Sequence, residues 1–203
     1  MTKFDLVCEQ IKSKLNYSNE IQTIGTTSQQ AAVALILRQN LEATEVLMIK
    51  RAIRLGDHWS GNLALPGGRW QIEDANLLYT AIRETFEETG MNLANGGQIL
   101  GQLDTLKPRS PVIPKVDVSP FIYTAPFPFH IIRQDLQPQP LILNDEVAAA
   151  FWVSLDYLES QGLSDAFQLI VEGEERTWPA YPSEHGPIWG MTERILTDFL
   201  KLL

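Results

Sequence analysis

Three closely spaced glutamates have an arrangement that suits metal-dependent chemistry. Glu84, Glu87 and Glu88 stand at positions i, i+3 and i+4, so a helix at this point would place all three carboxylates on one face. Like charges at these spacings destabilise a bare helix by about 0.2–0.5 kcal/mol per pair, which indicates that a positive partner is expected there. Ligands that are all oxygen suit a hard cation, Mg²⁺ or Mn²⁺, which keeps positions open for water and substrate phosphates. The alternative is a solvated charged face in which Arg83 pairs with Glu87 at i, i+4.

A helix is predicted around these carboxylates. Asp74 is a good N-cap residue, and Gly90 stands where a left-handed residue would end the helix. The apolar row at helical spacing consists of Leu78, Ile82, Phe86 and Thr89. We expect this row to be buried and the acidic row to be exposed.

The longer segment 66–91 resembles the signature of the Nudix hydrolase family. That signature runs Gly, five residues, Glu, seven residues, Arg-Glu, an apolar residue, any residue, Glu-Glu, any residue, Gly and an apolar residue. The matching positions are Gly68, Arg83, Glu84, Glu87, Glu88, Gly90 and Met91. Thr85 replaces the usual apolar residue, and one extra residue between Gly68 and Arg83 leaves Asp74 nearest the first Glu position. The insertion puts that first carboxylate in question but leaves the Arg-Glu-x-x-Glu-Glu core intact.

The resemblance implies a fold and a reaction. The fold is an α/β/α sandwich with a mixed β-sheet between helices, and the reaction is Mg²⁺-dependent hydrolysis of the diphosphate linkage in a nucleoside diphosphate derivative. The implied metal ligands are Glu84, Glu87 and Glu88. Arg83 cannot bind a cation but could hold the carboxylates in position.

A further carboxylate is expected from a later segment. The stretch around Asn144, Asp145 and Glu146 is similar to one that follows the substrate loop in Nudix proteins. Glu146 is the candidate for an extra metal ligand or general base, and Glu87 is the other candidate base. The alternative for Glu146 is a charge paired with a loop arginine.

Candidate substrate contacts lie before the acidic helix. Arg51, Arg54 and Arg69 could each hold two phosphate oxygens, although pairing with Asp57, Glu73 or Asp74 is an open alternative. Gly67 and Gly68, in a predicted turn at 66–68, complete the candidate substrate-binding set.

The substrate itself is suggested by a closer resemblance. Segment 50–68 and the extra residue look like the coenzyme A diphosphatase branch of the family, although Trp59 stands where that branch's histidine would align and His58 is one position early. Coenzyme A or an acyl-coenzyme A is therefore the expected substrate. The alternatives are ADP-ribose, a dinucleotide or a nucleotide sugar. A non-catalytic nucleotide-binding module is less favoured, because such modules usually lack one of the helix glutamates and all three are present here.

The length and composition of the chain limit its possible domain organisation and binding partners. At 203 residues with 44% hydrophobic content, a single domain is expected, with an N-terminal helix and linker at 1–30, the Nudix core at 31–158, and C-terminal strands and a helix at 159–203. The net charge of −9 argues against nucleic-acid polymers as partners. The only cysteine, Cys8, lies on an apolar row and is interpreted as inert packing. The longest apolar stretch, 31–37, has strand length, so no membrane span is expected and the protein is predicted to be cytoplasmic.

The remaining elements follow from periodicity. An amphipathic helix is predicted at 2–16, with Thr2 and Asp5 resembling a capping box. Strands are predicted at 31–38, 46–50, 63–65, 99–106 and 116–124, with a strand pair at 167–171 and 176–178 joined around Gly173. Helices are predicted at 154–160 and 191–202. Segment 127–139 is irregular and could be a lid or the contact of a homodimer. His58, His130 and His185 fall in predicted loops and are interpreted as ordinary surface or structural histidines.

Overall fold

The structure is a computed structural model that describes residues 1–15, 29–57, 59–109, 115–135, 137–171 and 174–203, without the side chains of 165, 166, 169–171 and 174. The helices are α1 (Lys3–Leu15), α2 (Leu77–Thr89), α3 (Leu155–Gln161) and α4 (Gly190–Leu200). The strands are β1 (Gln30–Asn40), β2 (Ala43–Arg51), β3 (Leu63–Ala64), β4 (Gly67–Arg69), β5 (Ile99–Gln102), β6 (Asp117–Thr124), β7 (Val147–Ser154), β8 (Ser164–Val171), β9 (Glu174–Tyr181) and β10 (Ile188–Trp189).

A seven-stranded mixed sheet forms the centre of the molecule. Its main path runs β3-β2-β1-β6-β5, with β4 paired to β1 and β7 paired to β2. Strands β1 and β6 are parallel, and the other pairs are antiparallel. A strand inside a sheet that is covered on both faces reads as a near-continuous apolar run, which is why β1 could be recognised from the sequence.

Helices cover both faces of this sheet. Side chains of α1, α3 and α4 pack with one face of the sheet in the larger apolar core. On the other face, α2 contributes Leu77 and Ala81 to a second core. The predicted α/β/α sandwich with a mixed sheet is therefore confirmed.

A second sheet follows the central one in the chain. It has three antiparallel strands in the order β10-β9-β8 and leads into α4. The predicted pair 167–171 and 176–178 is present, and both of its strands extend beyond the predicted bounds. The glycine expected at its turn, Gly173, lies outside the described residues.

The first helix begins as its sequence predicts. The Thr2 hydroxyl accepts a hydrogen bond from the Asp5 N–H at 3.1 Å, and the Asp5 carboxylate accepts one from the Thr2 N–H at 2.7 Å. This reciprocal pair is the predicted capping box. Cys8 is buried, and burial raises the pKa of its thiol to about 12, which agrees with inert packing.

Two predicted elements are wrong in detail. The strand expected at 99–106 ends at Gln102, and Leu106 makes only a single bridge to Val118. Of the turn expected at 66–68, Gly67 and Gly68 instead begin β4, and Gly68 pairs with Ala32 of β1. Glycine-rich sequence suggested a turn, but here the glycines allow a strand to lie very close to its neighbours.

Among the described residues, every helix is too short or too polar to span a lipid bilayer.

Two histidines have structural contacts. His130 accepts a hydrogen bond at Nδ1 from the Gln39 N–H at 2.9 Å, and its Nε2 lies 2.7 Å from the Ala125 carbonyl oxygen. His185 stacks on Phe151 with ring centroids 3.6 Å apart. Both agree with the interpretation as structural histidines, whereas His58 lies outside the described residues.

Candidate active site

The start of the acidic helix differs from the prediction. Asn76 is the N-cap of α2, and its side chain accepts the Tyr79 N–H at 2.8 Å. The expectation that Asp74 caps the helix is wrong, because its carboxylate is used elsewhere. The predicted C-terminal end is correct, since Gly90 has a left-handed φ of 69° and its N–H bonds to the Phe86 carbonyl.

The buried face of α2 is also not the predicted one. Phe86 is 54% exposed, whereas Glu88 is only 2% exposed. The predicted burial is confirmed for Thr89, and Leu78 and Ile82 are half-buried, but it is wrong for Phe86. The predicted exposure of the acidic row is confirmed for Glu87 and wrong for Glu88. The residues that α2 buries are mostly small or polar, namely Leu77, Thr80, Ala81, Thr85, Glu88 and Thr89. Small side chains let the helix approach β1 and β4 closely, and this approach takes Glu88 inside.

Glu88 is a buried carboxylate beneath β4. It accepts a hydrogen bond from the Gly67 N–H at 2.9 Å. Burial raises the pKa of Glu88 to about 8 against the lowering effect of that N–H, and the charges of Glu84 and Glu146 raise it further. The positive charge of Arg51 acts in the opposite direction. Three carboxylates and one guanidinium therefore act on each other at this point.

Gly68 lets Glu84 lie against β4. A Cβ at position 68 would lie 2.4 Å from the carboxyl carbon of Glu84, so any side chain there would displace this carboxylate. Burial raises the pKa of Glu84, and the adjacent Arg83 opposes that shift. The signature glycine thus keeps space for a glutamate of the acidic helix.

Arg83 is the centre of the hydrogen-bond network on α2. Its guanidinium donates to Glu84 at 2.9 Å and to Glu87 at 3.2 Å. It also donates to the Arg69 carbonyl at 3.2 Å, and it makes a two-point contact with Asp74 at 2.7 and 2.8 Å. The i, i+4 pair with Glu87 is therefore present, but as the longest side-chain contact of a larger network. The hydrogen bonds that Arg83 donates to Asp74 raise the pKa of Arg83, so its charge is permanent.

Asp74 is the buried carboxylate that anchors this network. Its side chain is fully buried and accepts further hydrogen bonds from the Thr80 hydroxyl at 2.8 Å and the Gln71 N–H at 3.1 Å. Burial acts to raise the pKa of Asp74, but the bonds from Arg83, Thr80 and Gln71 outweigh it and hold the pKa below its ordinary value. Asp74 is therefore an ionised anchor for Arg83.

Arg51 ends β2 beside the buried Glu88. Its Nη2 donates to Asp57 at 2.9 Å, one of the pairings left open by the sequence. Among the described residues, the buried Nε of Arg51 has no hydrogen-bond partner. An unused buried donor next to a carboxylate cluster suits an anionic ligand such as a phosphate.

Arg54 and Glu146 meet across two loops. Arg54 donates to Glu146 at 2.9 Å and to the neighbouring Asp145 at 3.0 Å. The predicted alternative for Glu146, pairing with a loop arginine, is thus observed in the free protein. Arg69 lies on β4 with an exposed side chain, close to the helix carboxylates because its carbonyl contacts Arg83.

The carboxylate oxygens of Glu84, Glu87 and Glu88 are ligands that a hard divalent cation prefers. In the described part of the chain, no three acidic, histidine or cysteine side chains already converge on one point as metal ligands. Arg83 holds Glu84 and Glu87, so these two side chains would have to turn from it to share an ion with Glu88. The buried Glu88, whose ionisation is opposed by its surroundings, is the group that a cation would stabilise most.

Some contributors to the site have no clear signal in the sequence. Asp74 stands nearest the first signature Glu position and resembles an N-cap, but nothing in its spacing indicates a buried partner of Arg83. Asp145 stands out only as a neighbour of Glu146. Both roles depend on contacts between segments that are separate in the chain.

Comparison with known proteins identifies the family. A model of the NUDIX domain matches residues 27–170. The chain is similar to a peroxisomal coenzyme A diphosphatase of Caenorhabditis elegans, with 28% identity over 186 residues that cover 88% of this chain and 71% of the worm protein. It is equally similar, at 28% identity over 194 residues, to the Nudix hydrolase NudL of Salmonella paratyphi B, and there the match covers 95% of this chain and 93% of the relative.

Other matches are shorter or more distant. A protein of Schizosaccharomyces pombe is 33% identical over 113 residues, which cover 54% of this chain and 32% of the yeast protein. The crystal structure of a MutT/nudix family protein from Enterococcus faecalis has a TM-score of 0.51 and 20% identity, and covers 100% of this chain and 74% of that chain. At this identity the structure supports the fold alone. Because the NUDIX family model matches residues 27–170, which is most of the chain, the chain belongs to the Nudix family of hydrolases, which act on diphosphate bonds.

Proposed function

We propose that this hydrolase uses Mg²⁺ or Mn²⁺ to cleave the diphosphate linkage of a nucleoside diphosphate derivative, with coenzyme A or an acyl-coenzyme A as its substrate. The observation that carries the proposal is the buried carboxylate of Glu88, which accepts a hydrogen bond from the Gly67 N–H. The charges of Glu84 and Glu146 oppose its ionisation, and the charge of Arg51 favours it. A site with opposed anionic and cationic groups suits a metal ion together with an anionic ligand.

The residues of the acidic helix would hold the ion. Glu84, Glu87 and Glu88 are the proposed ligands, in agreement with the oxygen donors that hard cations prefer. When bound, such an ion supplies Lewis acidity and neutralises the negative charge of the diphosphate.

Protein groups have the other tasks in the proposed reaction. Arg83, anchored by Asp74, positions the Glu84 and Glu87 carboxylates. The Arg51 Nε supplies a donor for a phosphate oxygen. A carboxylate, either Glu146 or Glu87, accepts the proton of the attacking water.

Coenzyme A is proposed as substrate on two grounds. The C. elegans relative is a coenzyme A diphosphatase by name, and segment 50–68 resembles that branch of the family. Coenzyme A carries a 3′-phosphate that ADP-ribose lacks, so its recognition needs a further cationic contact. Arg51, Arg54 and Arg69 are enough arginines for both the diphosphate and the 3′-phosphate.

The test is a substrate panel read by product chromatography. Coenzyme A, dephospho-coenzyme A, ADP-ribose, NADH, diadenosine compounds and UDP-glucose would each be incubated with the purified protein and Mg²⁺. We expect dephospho-coenzyme A to be cleaved more slowly than coenzyme A. The difference should shrink in Arg51→Ala, because a charged hydrogen bond is worth about 1.5–3 kcal/mol.

Two other results would change the proposal. Equal rates on the two coenzyme A compounds, or faster cleavage of ADP-ribose, would assign the substrate to the ADP-ribose, dinucleotide or nucleotide-sugar group. Binding without cleavage of any compound would indicate a nucleotide-binding module.

A further inference from the structure

Arg54 joins two loops beside the acidic helix. Its Nη1 donates to Glu146 Oε1 at 2.9 Å, and its Nη2 donates to Asp145 Oδ2 at 3.0 Å. One guanidinium thus holds two neighbouring carboxylates, and one of them is the candidate base. We call Arg54, Asp145 and Glu146 the latch.

The backbone around the latch is held by bonds that do not involve the Arg54 guanidinium. The Ala52 N–H donates to the Glu146 carbonyl at 2.8 Å. The Ser60 hydroxyl accepts from the Arg54 N–H at 2.9 Å and donates to the Arg54 carbonyl at 2.8 Å. On the other loop, the Asn144 side chain accepts the Glu146 N–H at 2.9 Å. The Arg54 side chain could therefore leave its two partners while both loops keep their positions.

The ion pairs of the latch are weak enough to be exchanged. The side chains of Arg54, Asp145 and Glu146 are 43%, 91% and 46% exposed, and exposed ion pairs contribute little to stability. A guanidinium that binds a phosphate makes charge-assisted, two-point hydrogen bonds, which are among the strongest in proteins. A diphosphate that reaches the site should therefore displace both carboxylates from Arg54.

The released Glu146 would lie close to the other site carboxylates. Its negative charge already raises the pKa of both Glu84 and Glu88 in the free protein, so it lies close enough to act on them. Its backbone is bonded to Ala52, next to Arg51 at the end of β2.

We propose that Arg54 is a positioning residue that holds Glu146 in the free enzyme and exchanges Asp145 and Glu146 for phosphate oxygens when a nucleoside diphosphate binds. Glu146 then becomes available as the base. This inference rests on the proposed function for the role of Glu146, whereas the exchange of partners can be measured by binding alone. Asp145 has no catalytic task in this scheme; it competes with the substrate for Arg54.

The latch makes a specific prediction for Asp145→Asn. Removing one competing carboxylate should tighten binding of ADP about two- to fivefold, the range that corresponds to the loss of one exposed ion pair. The KM for a cleaved diphosphate should fall by a similar factor with kcat unchanged, because the base is intact. A merely structural ion pair would lower thermal stability without changing either value.

The experiment is calorimetric titration of the full chain with ADP in EDTA. Glu159→Gln is the matched control, because it removes one negative charge from an exposed residue of α3, away from the latch. A double-mutant cycle completes the design: in an Arg54→Ala background, Asp145→Asn should no longer tighten binding, since its competing partner is gone.

The outcomes separate this inference from the proposed function. A gain no larger than that of Glu159→Gln, a gain that persists with Arg54→Ala, or no ADP binding to any variant would overturn the latch. Diphosphate cleavage together with unchanged ADP affinity would leave the function standing and reject the latch. Tighter binding in a protein that cleaves no diphosphate would support the exchange and reject the proposed function.

Discussion

The three glutamates of the acidic helix have different surroundings. Glu88 is buried and hydrogen-bonded to the Gly67 N–H, Glu84 shares Arg83 with Glu87, and Glu87 has about half of its side chain exposed. A negative charge is therefore most costly at Glu88. A bound cation would therefore be stabilised most by the Glu88 carboxylate. Without a cation, ionisation of Glu88 should lower the stability of the folded protein.

Glu88 should make the metal-free protein less stable as the pH rises. Its pKa is raised by burial from an ordinary value of 4.5 to about 8, so the folded chain holds this proton where the unfolded chain has lost it. The contribution to the free energy of unfolding is fully present below about pH 4.5 and is lost as the pH rises through about 8. Thermal unfolding in EDTA from pH 5 to 9 should show this decline.

The matched variant for this prediction is Glu88→Gln, which has no proton to lose at this position. Its melting temperature should depend less on pH over the same range, while the shared contributions of all other groups remain. Curves of equal slope for the two proteins would mean that the Glu88 pKa is not raised in the fold.

At the residue scale, the shared face of the three glutamates could be predicted from the sequence, but their burial could not. The i, i+3, i+4 pattern predicted a shared face, and α2 carries all three carboxylates as expected. The predicted exposure is confirmed for Glu87 but wrong for Glu88, which periodicity places opposite the large apolar side chains and which is nevertheless buried. Glu88 is buried because Gly67 and Gly68 of β4 lie close to the helix. The position of β4 is set by its pairing with β1.

At the element scale, α2 is tied to the segment before it by the buried Asp74–Arg83 pair. Removing one partner of a buried pair leaves the other charge uncompensated, at a cost of about 3–5 kcal/mol. We expect Arg83→Ala to lose stability of this order in denaturant unfolding. It should also lower activity by about 10- to 100-fold, because the Glu84 and Glu87 carboxylates lose their support.

The control for Arg83→Ala is Arg133→Ala, which removes an exposed arginine paired with Asp135. An exposed pair contributes at most about 1 kcal/mol, so this variant should remain close to the original stability. Equal stability of the two variants would show that the Asp74–Arg83 pair does not anchor the helix.

The approach of β4 to α2 depends on the absence of a side chain at position 68. In Gly68→Ala, the new Cβ would meet the Glu84 carboxyl group at 2.4 Å, so Glu84 must move. A displacement of about 1 Å at a catalytic group can cost on the order of 10²-fold, and we expect turnover to fall by about 10- to 100-fold with the fold retained. Turnover assays and circular dichroism would check both parts.

Gly162→Ala is the comparison for that substitution. Gly162 has a positive φ of 64°, but apart from its chain neighbours no heavy atom lies within 4 Å of the point where a Cβ would stand. The substitution should cost some stability, about 1 kcal/mol, without affecting turnover. If Gly68→Ala behaves in the same way, the close contact with Glu84 has no catalytic importance.

Elements were predicted from the sequence more reliably than their pairing. Hydrophobic runs located β1, β2 and β6, and a capping box located the start of α1, because these signals are local. The short strand β4 looked like a turn, since its glycines carry no apolar pattern and its identity comes only from hydrogen bonds to β1. Pairing of Glu146 with a loop arginine was one predicted alternative, but no local pattern identifies Arg54 as the partner, because the two positions are about ninety residues apart.

At the scale of the whole molecule, the sheet with helices on both faces was predicted through the family resemblance. Its apolar cores lie on opposite faces, and the site lies where α2, β4 and the ends of β2 and β7 come together. The single-domain organisation of 1–203, the cytoplasmic location and a homodimer through 127–139 stay predictions.

The most direct test of the central claim is the turnover of Glu84→Gln and Glu88→Gln. Coenzyme A and ADP-ribose would be supplied at saturating Mg²⁺, with products separated by chromatography and the fold of each variant checked by circular dichroism. We predict that the unaltered protein cleaves a diphosphate only when Mg²⁺ or Mn²⁺ is present, and that either substitution lowers turnover by at least about 10²-fold with the fold retained. Wild-type rates in both variants, or equal cleavage in EDTA, would contradict the proposed site.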